Sequence, residues 1–159
     1  RTGGAKSAVV VLTLDIGKGV MAVVLAREVI GTNGAEVAAG LIVLAGHNWP
    51  VFLQFKGGRG ILTALGGLAL MVPVAAIIAT ATFLTVIALS RYISLGSVIG
   101  VTIGALAILA LALAGVNSGT YMVYGFIACA MLVWQHRDNL QRIRDGNERR
   151  LGQPATKVE

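Results

Sequence analysis

Residues 92–135 read YISLGSVIGVTIGALAILALALAGVNSGTYMVYGFIACAMLVWQ and contain no charged side chain. A second uncharged stretch covers residues 60–90. A helix needs about 20 apolar residues to cross the hydrocarbon core of a bilayer, so the longer stretch has room for two crossings. A soluble core does not need apolar runs of this length. The sequence therefore predicts an all-α integral membrane protein that crosses the bilayer several times.

The composition supports this class and excludes others. Of the 159 residues, 56% are apolar and 13% are charged, and the mean hydropathy is +0.81. One cysteine, Cys129, and two histidines are too few for a disulfide framework or a typical structural zinc site, so no metal or cofactor is expected. The net charge of +6 comes from basic residues beside apolar segments. Such residues are typical topology signals, and no nucleic-acid partner is expected.

Hydropathy places four of the spans directly. The first runs from Ala5 to Ala26 and the second from Ala35 to Phe55, joined by a short polar turn. Residues 92–135 hold two more, hinged at the turn-forming residues 115–119. Gly100 and Gly104 on one of these spans permit close helix contact. We assign that contact to packing within a monomer in preference to dimerisation.

The stretch of residues 60–90 is long for one span and short for two. Lys56 and Arg59 precede it and Arg91 follows it. If basic loops stay in the cytoplasm, both ends lie on that side and the number of crossings between them is even. Two short helices or a re-entrant hairpin, broken near Pro73, satisfy this rule. About six membrane segments result.

The chain is thus expected to divide into a membrane-embedded helical domain, residues 1–136, and a cytoplasmic amphipathic, basic tail, residues 137–159. Anionic lipid headgroups attract such a tail by about 1 kcal/mol per basic residue. Tyr121 and Tyr124 are expected in the aromatic belt at the outer interface.

Two charged residues stand in the middle of the first span. An isolated ionised side chain at that depth costs roughly 2.5 to 3.5 kcal/mol. Asp15 and Lys18 are three residues apart, so they share one helix face and we expect them to pair there, facing protein. A purely structural ion pair and support of a polar site are equally compatible with this spacing.

The most informative segment is GHNWPVFLQFKGGRG, residues 46–60. Glycines allow consecutive backbone N–H groups to form a concave anion nest, and nearby cations supply charge for a phosphate. The segment lacks the order of a Walker loop, and no strand precedes it. From the residues alone, a tight turn whose cations only fix topology explains it equally well. The candidate phosphate ligands are Lys56, Gly57, Gly58, Arg59 and Gly60, with Gly46 and His47 in support.

A second polar cluster, HRDNLQR at residues 136–142, follows the last span. On a continuing helix His136 and Asn139 lie on one face. A tryptophan stands two residues from each histidine of the chain, His47 and His136, and tryptophan favours the membrane interface. Both histidines are therefore expected at headgroup depth on the cytoplasmic face, where the two clusters meet in one cationic pocket.

These segments resemble the motifs of the bacterial acyl-phosphate:glycerol-3-phosphate acyltransferases of the PlsY type. Residues 46–60 are similar to that family's central motif, a Gly-His pair, then Pro and Phe, then Phe-Lys-Gly-Gly-Lys-Gly. Residues 136–142, with Glu148 after them, resemble its C-terminal motif, and residues 15–19 match the pattern Asp-x-x-Lys-Gly. Arg59 replaces the second lysine of the central motif. A guanidinium binds phosphate at two points, whereas an ammonium is a point charge.

The resemblance implies a multi-pass enzyme of the bacterial cytoplasmic (inner) membrane whose active site faces the cytoplasm. It implies transfer of an acyl group from acyl-phosphate to the 1-hydroxyl of glycerol 3-phosphate, which gives lysophosphatidate and phosphate in the first step of phospholipid synthesis. The implied catalytic residues are His136 and Asn139, the implied phosphate ligands are Arg1 and the basic central loop, and the supporting residues are Asp15, Lys18 and Glu148.

The same resemblance implies one more span and a Ser-Gly-Asn-Pro-Gly-Ala-Thr-Asn motif ahead of the first residue. Arg1 then corresponds to the arginine that closes this motif. On this interpretation the chain holds one membrane segment fewer than the full set of the family.

An acyl-phosphate is already activated, so the protein needs no nucleophile and must only place the hydroxyl, stabilise charge and let one proton leave. Either His136 accepts that proton, or a substrate phosphate oxygen does so while His136 orients glycerol phosphate; we favour the second. The main alternative function is a small anion transporter or channel subunit, which predicts a site near the bilayer midplane. A noncatalytic assembly subunit predicts polar clusters that lie far apart.

Overall fold

The computed structural model describes residues 4–55 and 57–153, with side chains from residue 7 onward. The helices are α1 (Gly4–Val29), α2 (Asn33–Asn48), α3 (Ile61–Met71), α4 (Pro73–Ser90), α5 (Ile93–Leu113), α6 (Tyr121–Gln135) and α7 (Arg137–Arg144), with a 3-10 turn at Val51–Leu53. Within these ranges four segments are long and apolar enough to cross a bilayer: Ser7–Val29, Asn33–Leu53, Pro73–Ser90 and Ile93–Leu113. α3 and α6 are shorter apolar helices. The predicted all-helical membrane bundle is confirmed.

Proline explains the break within residues 60–90. Pro73 occupies the first turn of α4, where its missing N–H removes no helical hydrogen bond. Val72, just before it, has φ −142° and ψ 79°, outside the helical region. α3 has 11 residues and is about 16 Å long, too short to cross a bilayer alone. The predicted break near Pro73 is confirmed, and the two helices that flank it fit both alternatives, two short helices and a re-entrant hairpin.

The outer ends of this helix pair lie at the same end of the bundle. Arg91, which follows α4, contacts the tail beyond α7. Its carbonyl accepts from Leu151 N (2.7 Å), and its Nη2 donates to the Leu151 carbonyl (2.8 Å). Arg59, which precedes α3, lies within electrostatic range of Glu148 in the same tail. Both arginines therefore lie at one end of the bundle, which we call the site end.

Glycines bring the backbones of α1 and α3 into direct contact. A Cβ at Gly19 would lie 2.1 Å from the Thr63 carbonyl oxygen. A Cβ at Gly66 would lie 2.3 Å from the Ile16 carbonyl oxygen. Because backbone atoms cannot rotate away, a side chain at either position separates the two helices.

α4 and α5 meet in the same way. A Cβ at Gly100 would lie 3.0 Å from the Ala79 carbonyl oxygen, and one at Gly104 would lie 2.9 Å from the Ala79 Cβ. The Gly-x-x-x-Gly spacing therefore packs two helices of one chain against each other, as preferred from the sequence.

A buried carboxylate joins the helices at the end opposite the site. Glu36, which is 4% exposed in the first turn of α2, accepts from Arg27 Nε of α1 (2.7 Å) and from the Tyr121 hydroxyl of α6 (3.0 Å). Arg27 Nη2 also donates to the Leu70 carbonyl at the end of α3 (3.0 Å). A buried charge is tolerated only with such partners. Arg27, which the sequence predicts in the polar turn between the first two spans, is part of α1.

The prediction that both tyrosines of α6 lie in the aromatic belt at the outer interface is wrong. Tyr121 and Tyr124 are 8% and 2% exposed. The hydroxyl of Tyr124 donates to the Ala64 carbonyl of α3 (2.7 Å). Each hydroxyl finds its partner inside the bundle, so neither ring needs water at an interface.

Two helix ends also differ from expectation. The second span does not stay helical to Phe55, because Trp49 precedes Pro50 and a residue before proline is disfavoured in the helical region. Trp49 has φ −131° and ψ 64°, and α2 ends at Asn48. The last span does not continue smoothly into the tail, since His136, with φ −101° and ψ 3°, separates α6 from α7.

Substitution of Gly19 tests the contact between α1 and α3. We expect Gly19→Ala to destabilise the protein, because its methyl group meets a fixed carbonyl oxygen, and overpacking of this kind costs about 1–3 kcal/mol. Gly17→Ala is the matched control, since no atom lies within 4 Å of its added Cβ. Thermal unfolding in detergent should give a lower Tm for Gly19→Ala alone. Equal Tm values for the two variants would contradict the close approach.

Candidate active site

The central loop between α2 and α3 has an unusual backbone. Gln54 and Phe55 have positive φ values of 53° and 62°, and Gly60, at the start of α3, has a φ of 76°. The N–H of Gly58 donates to the His47 carbonyl (3.1 Å). These turns fold the loop back onto the end of α2 and return the chain to the bundle.

His47 supports the two glycines of this loop. A Cβ at Gly57 would lie 2.1 Å from the fixed His47 carbonyl oxygen, and one at Gly58 would lie 2.1 Å from its Nε2 and would displace the imidazole. On the other side of the ring, Nδ1 contacts Lys18 Nζ, which also donates to Asp15 Oδ1 (2.7 Å). The predicted Asp15–Lys18 pair is present, and its contact with His47 favours the supporting role over a purely structural one.

Glu148 organises the C-terminal cluster. Its Oε1 accepts from Asn139 Nδ2 (2.6 Å) and Ser94 Oγ (2.6 Å), and its Oε2 accepts from Arg142 Nε (2.9 Å). These bonds tie the tail to α7 and to the start of α5. Burial by itself raises the pKa of Glu148, but the hydrogen bonds outweigh burial and hold the pKa below its ordinary value of 4.5. Glu148 is therefore a carboxylate at neutral pH.

His136 lies at the junction of α6 and α7 and is 2% exposed. Its Nδ1 is 2.7 Å from the Leu132 carbonyl oxygen. Because a carbonyl can only accept, Nδ1 carries the proton and Nε2 is the accepting nitrogen. Burial lowers the pKa of His136, the bond to Leu132 opposes this, and the positive charge of Arg59 lowers the pKa further. The imidazole is neutral at neutral pH.

The two clusters meet at the site end. Gln135 Nε2, one residue before His136, donates to the carbonyl of Asn48 at the end of α2 (3.5 Å). Arg59 lies near enough to His136 and Glu148 for their charges to affect one another. Burial lowers the pKa of Arg59, but a guanidinium keeps its proton. Segments nearly eighty residues apart in the sequence thus bring a cation close to a neutral imidazole, and we call this polar region the pocket.

Two buried side chains near the start of α3 have polar atoms without a hydrogen-bond partner in the described part of the chain. They are Asn48, through Nδ2 and Oδ1, and Thr63, through Oγ1, and both residues are 1% exposed. A Cβ built on Gly60 would lie 2.4 Å from Asn48 Oδ1, so this amide faces the start of α3. The first N–H groups of α3 have no side-chain cap. Unpartnered groups of this kind indicate a site that takes a polar ligand or water.

The structure brings together most of the residues predicted for the site: His47, Gly57, Gly58, Arg59, Gly60, His136, Asn139 and Glu148, with Asp15 and Lys18 behind His47. Gly46 makes no close approach, since nothing lies within 4 Å of a Cβ built there. Arg1 and Lys56, both predicted phosphate ligands, lie outside the described residues.

Three polar residues of the pocket received no role from the sequence. Asn48 and Arg142 stand inside the quoted motifs, where their neighbours carried the argument. Ser94 stands in an uncharged stretch, where one serine gives no signal of its own. Its position three residues after Arg91 was the available clue, because that basic residue marks the site end.

Fold and site together define a class of protein. The candidate site residues gather at one end of an all-helical membrane bundle, where helices stop. An interfacial membrane enzyme that acts on a phosphorylated substrate is expected to have this placement. A transporter is expected to hold its site near the bilayer midplane, and a noncatalytic assembly subunit is expected to have polar clusters that lie far apart.

Comparison with known proteins narrows the class. The family model described as glycerol-3-phosphate acyltransferase matches residues 1–146. The glycerol-3-phosphate acyltransferase 3 of Dehalococcoides mccartyi is 44% identical over 168 residues, which cover 98% of this chain and 77% of the relative. The glycerol-3-phosphate acyltransferase of Thermoanaerobacter pseudethanolicus is 40% identical over 153 residues, which cover 96% and 75%.

Solved structures share the fold. PlsY, an integral membrane glycerol 3-phosphate acyltransferase, matches in its glycerol 3-phosphate form with a TM-score of 0.85 and 31% identity, over 96% of this chain and 74% of that one. Its lysophosphatidic acid form gives the same TM-score and identity over 76% of that chain. This chain belongs to the glycerol-3-phosphate acyltransferase family.

The bonds to Glu148 predict a pH-dependent stability. Because its pKa lies below 4.5 in the folded protein, its stabilising contribution is complete above that pH and is lost as the pH falls through the folded pKa. We expect Glu148→Gln to lower the Tm at neutral pH and the difference to disappear in acid. Thermal unfolding of both proteins from neutral pH down to acid tests this pH dependence. The control is the same charge removal at the exposed tail residue Asp145, Asp145→Asn. A difference that persisted in acid would contradict the role of the carboxylate.

Proposed function

We propose that this protein transfers an acyl group from acyl-phosphate to the 1-hydroxyl of glycerol 3-phosphate and releases lysophosphatidate and inorganic phosphate. Membership of the family supports acyl transfer to glycerol 3-phosphate. PlsY, a member with the same fold, is known in glycerol 3-phosphate and lysophosphatidic acid forms. The observation that carries the proposal is the meeting of Arg59 and its glycine loop with His136 and Asn139 at one end of the bundle.

The residues of the pocket suit a phosphorylated glycerol. Arg59 offers a forked pair of donors to the phosphate, and the N–H groups of Gly57 and Gly60 lie in the same loop, whereas the N–H of Gly58 already donates to the His47 carbonyl. Asn139 is fixed by Glu148, which leaves its amide oxygen to accept from a glycerol hydroxyl. Lys56 and Arg1 are further proposed phosphate ligands on the basis of the resemblance. Two anionic substrates explain why the pocket is cationic.

The reaction needs placement more than chemical activation. The oxygen of the 1-hydroxyl attacks the carbonyl carbon of acyl-phosphate, a new C–O bond forms, and the bond from that carbon to the phosphate oxygen breaks. Phosphate leaves with the bonding electron pair. The N–H groups at the start of α3 and the guanidinium of Arg59 stabilise the negative charge that develops on the carbonyl and the leaving phosphate.

One proton must leave the attacking hydroxyl. A phosphate oxygen of the substrate accepts it, and Nε2 of His136 orients glycerol 3-phosphate by accepting a hydrogen bond from its other hydroxyl, at carbon 2. The lowered pKa of His136 supports this assignment, because an imidazole with a lowered pKa is a weaker base. The proton then leaves with the product phosphate, and the protein needs no regeneration step.

We place the site end on the cytoplasmic side of the bacterial inner membrane. Arg59, Arg91 and the arginines of the tail lie at this end, which agrees with the excess of basic residues in cytoplasmic loops. We propose that residues 1–136 make up the membrane-embedded domain and residues 137–159 the cytoplasmic tail. The glycine contacts are used within one chain, which supports an active monomer.

The donor is tested by an assay of the purified protein in detergent with glycerol 3-phosphate. Acyl-phosphate, acyl-CoA and acyl carrier protein conjugates with the same acyl group are compared. We expect lysophosphatidate from acyl-phosphate alone, because only phosphate as leaving group matches a pocket made for small anions. Activity with acyl-CoA alone would reject the donor assignment.

The role of His136 is tested by His136→Gln, which keeps a hydrogen-bonding side chain but removes the base. If substrate phosphate accepts the proton, KM for glycerol 3-phosphate rises and kcat falls by less than about a hundredfold. Loss of a general base typically lowers the rate by about a hundredfold or more. His47→Gln is the comparison variant. Normal substrate binding with a hundredfold or larger loss of turnover would make His136 the proton acceptor.

A further inference from the structure

An apolar cavity begins directly beneath the polar pocket. Its volume is about 210 Å³, and it lies among α3, α4, α5 and α6. Ile61 lines it one residue after Gly60. Leu132 also lines it, and the carbonyl of Leu132 accepts from His136. The mouth of the cavity is therefore within one helical turn of the groups proposed to hold glycerol phosphate.

The cavity offers hydrocarbon and few free polar groups. Its polar lining residues Thr80 and Ser97 donate their hydroxyls to carbonyls of their own helices (2.8 and 2.9 Å). Tyr124 donates to the Ala64 carbonyl (2.7 Å). A cavity of this kind excludes water and accepts an alkyl chain.

Gly125 of α6 and Ile108 of α5 line the cavity and are among the lining residues farthest along their helices from the site end. A Cβ at Gly125 of α6 would lie 2.9 Å from Ile108 Cδ1 of α5 and 3.5 Å from the Ala105 Cα. Ile108 is 1% exposed, so its side chain has little room to move except into the cavity. Gly125 lies seven residues before Leu132 on α6, about 10 Å below the mouth.

One wall of the cavity borders the lipid. Leu84 of α4 lines the cavity and is also 58% exposed. A chain longer than the cavity therefore has a lateral exit into the bilayer. Since a cavity of about 150 Å³ holds the six carbons of benzene, this one holds on the order of eight carbons.

We infer that Gly125 and Ile108 determine how much of the acyl chain the protein itself binds: about eight carbons next to the carbonyl fill the cavity, and the remainder passes into lipid. The inference rests on the proposed function, because it takes the acyl-phosphate carbonyl to lie in the polar pocket above the cavity. Gly125 and Ile108 are specificity-determining positions that do not contact the reacting atoms.

The test compares kcat/KM of variant and unchanged protein for acyl-phosphates of four, eight, twelve and sixteen carbons. Partition of the donor into detergent is common to both proteins and cancels in the ratio. We expect Gly125→Ala to match the unchanged protein with the four-carbon donor. With the eight-carbon donor, kcat/KM of the variant should be about tenfold lower than that of the unchanged protein, and longer donors should show the same difference. A misfit of one carbon in an apolar pocket has about that effect.

A compensating change and a matched control make the result specific. In the Gly125→Ala, Ile108→Val double variant, the smaller side chain at position 108 should return kcat/KM for the longer donors most of the way to the value of the unchanged protein. Gly34→Ala adds the same methyl group where nothing lies within 4 Å and should leave the ratio unchanged at every length. A loss of equal size for all four donors, or no loss for any, would overturn the inference.

A binding measurement separates this inference from the proposed function. Alkyl phosphates of the same four lengths have no carbonyl and do not react. They should raise the Tm of the unchanged protein up to eight carbons and little beyond, with a smaller gain for Gly125→Ala. If no acyl-phosphate turns over but this length dependence is present, the donor assignment fails and the cavity inference stands. If acyl-phosphates turn over and the Tm gain is the same at all lengths, the inference fails alone.

Discussion

Hydrocarbon gives a protein backbone no hydrogen-bond partner other than itself, and this constraint governs where the chain can hold a charged substrate. Within the bundle, each N–H is used by its own helix. Free N–H groups are available only where a helix begins, so an anion nest has to lie at an end of the bundle. The stop of α2 at Asn48 and the start of α3 at Gly60 create such an end beside His136.

The same constraint explains how charges enter the apolar interior. Asp15 and Lys18 are paired with each other and with His47, and their position behind the glycine loop makes the ion pair a support for the site. At the far end, Glu36 binds partners from two other helices. Between these networks the helices meet through glycines. The bundle thus keeps its polar chemistry at its ends and its tightest packing in its middle.

Much of this arrangement could be predicted from the sequence because hydropathy and the properties of proline act locally. The spans, the break before Pro73 and the Asp15–Lys18 pair follow from spacing along one helix. The tyrosines of α6 could not be placed this way, because their partners Glu36 and Ala64 belong to other helices. Hydropathy alone also places the end of the second helix too late, because the residues after Asn48 remain apolar although their backbone is no longer helical. The roles of Ser94 and Asn48 depend on three-dimensional contacts that a single sequence does not encode visibly.

The turn between α2 and the glycines carries large apolar side chains that the protein leaves uncovered. Phe52 is 99% exposed and Phe55 62%, and both stand at the site end, just before Gly57. Side chains of this type settle at the boundary between headgroups and acyl tails. The membrane is therefore expected to help hold the loop between α2 and α3 in position. A bilayer of different thickness or fluidity is expected to reposition that loop, so the protein's lipid environment becomes a determinant of its substrate affinity.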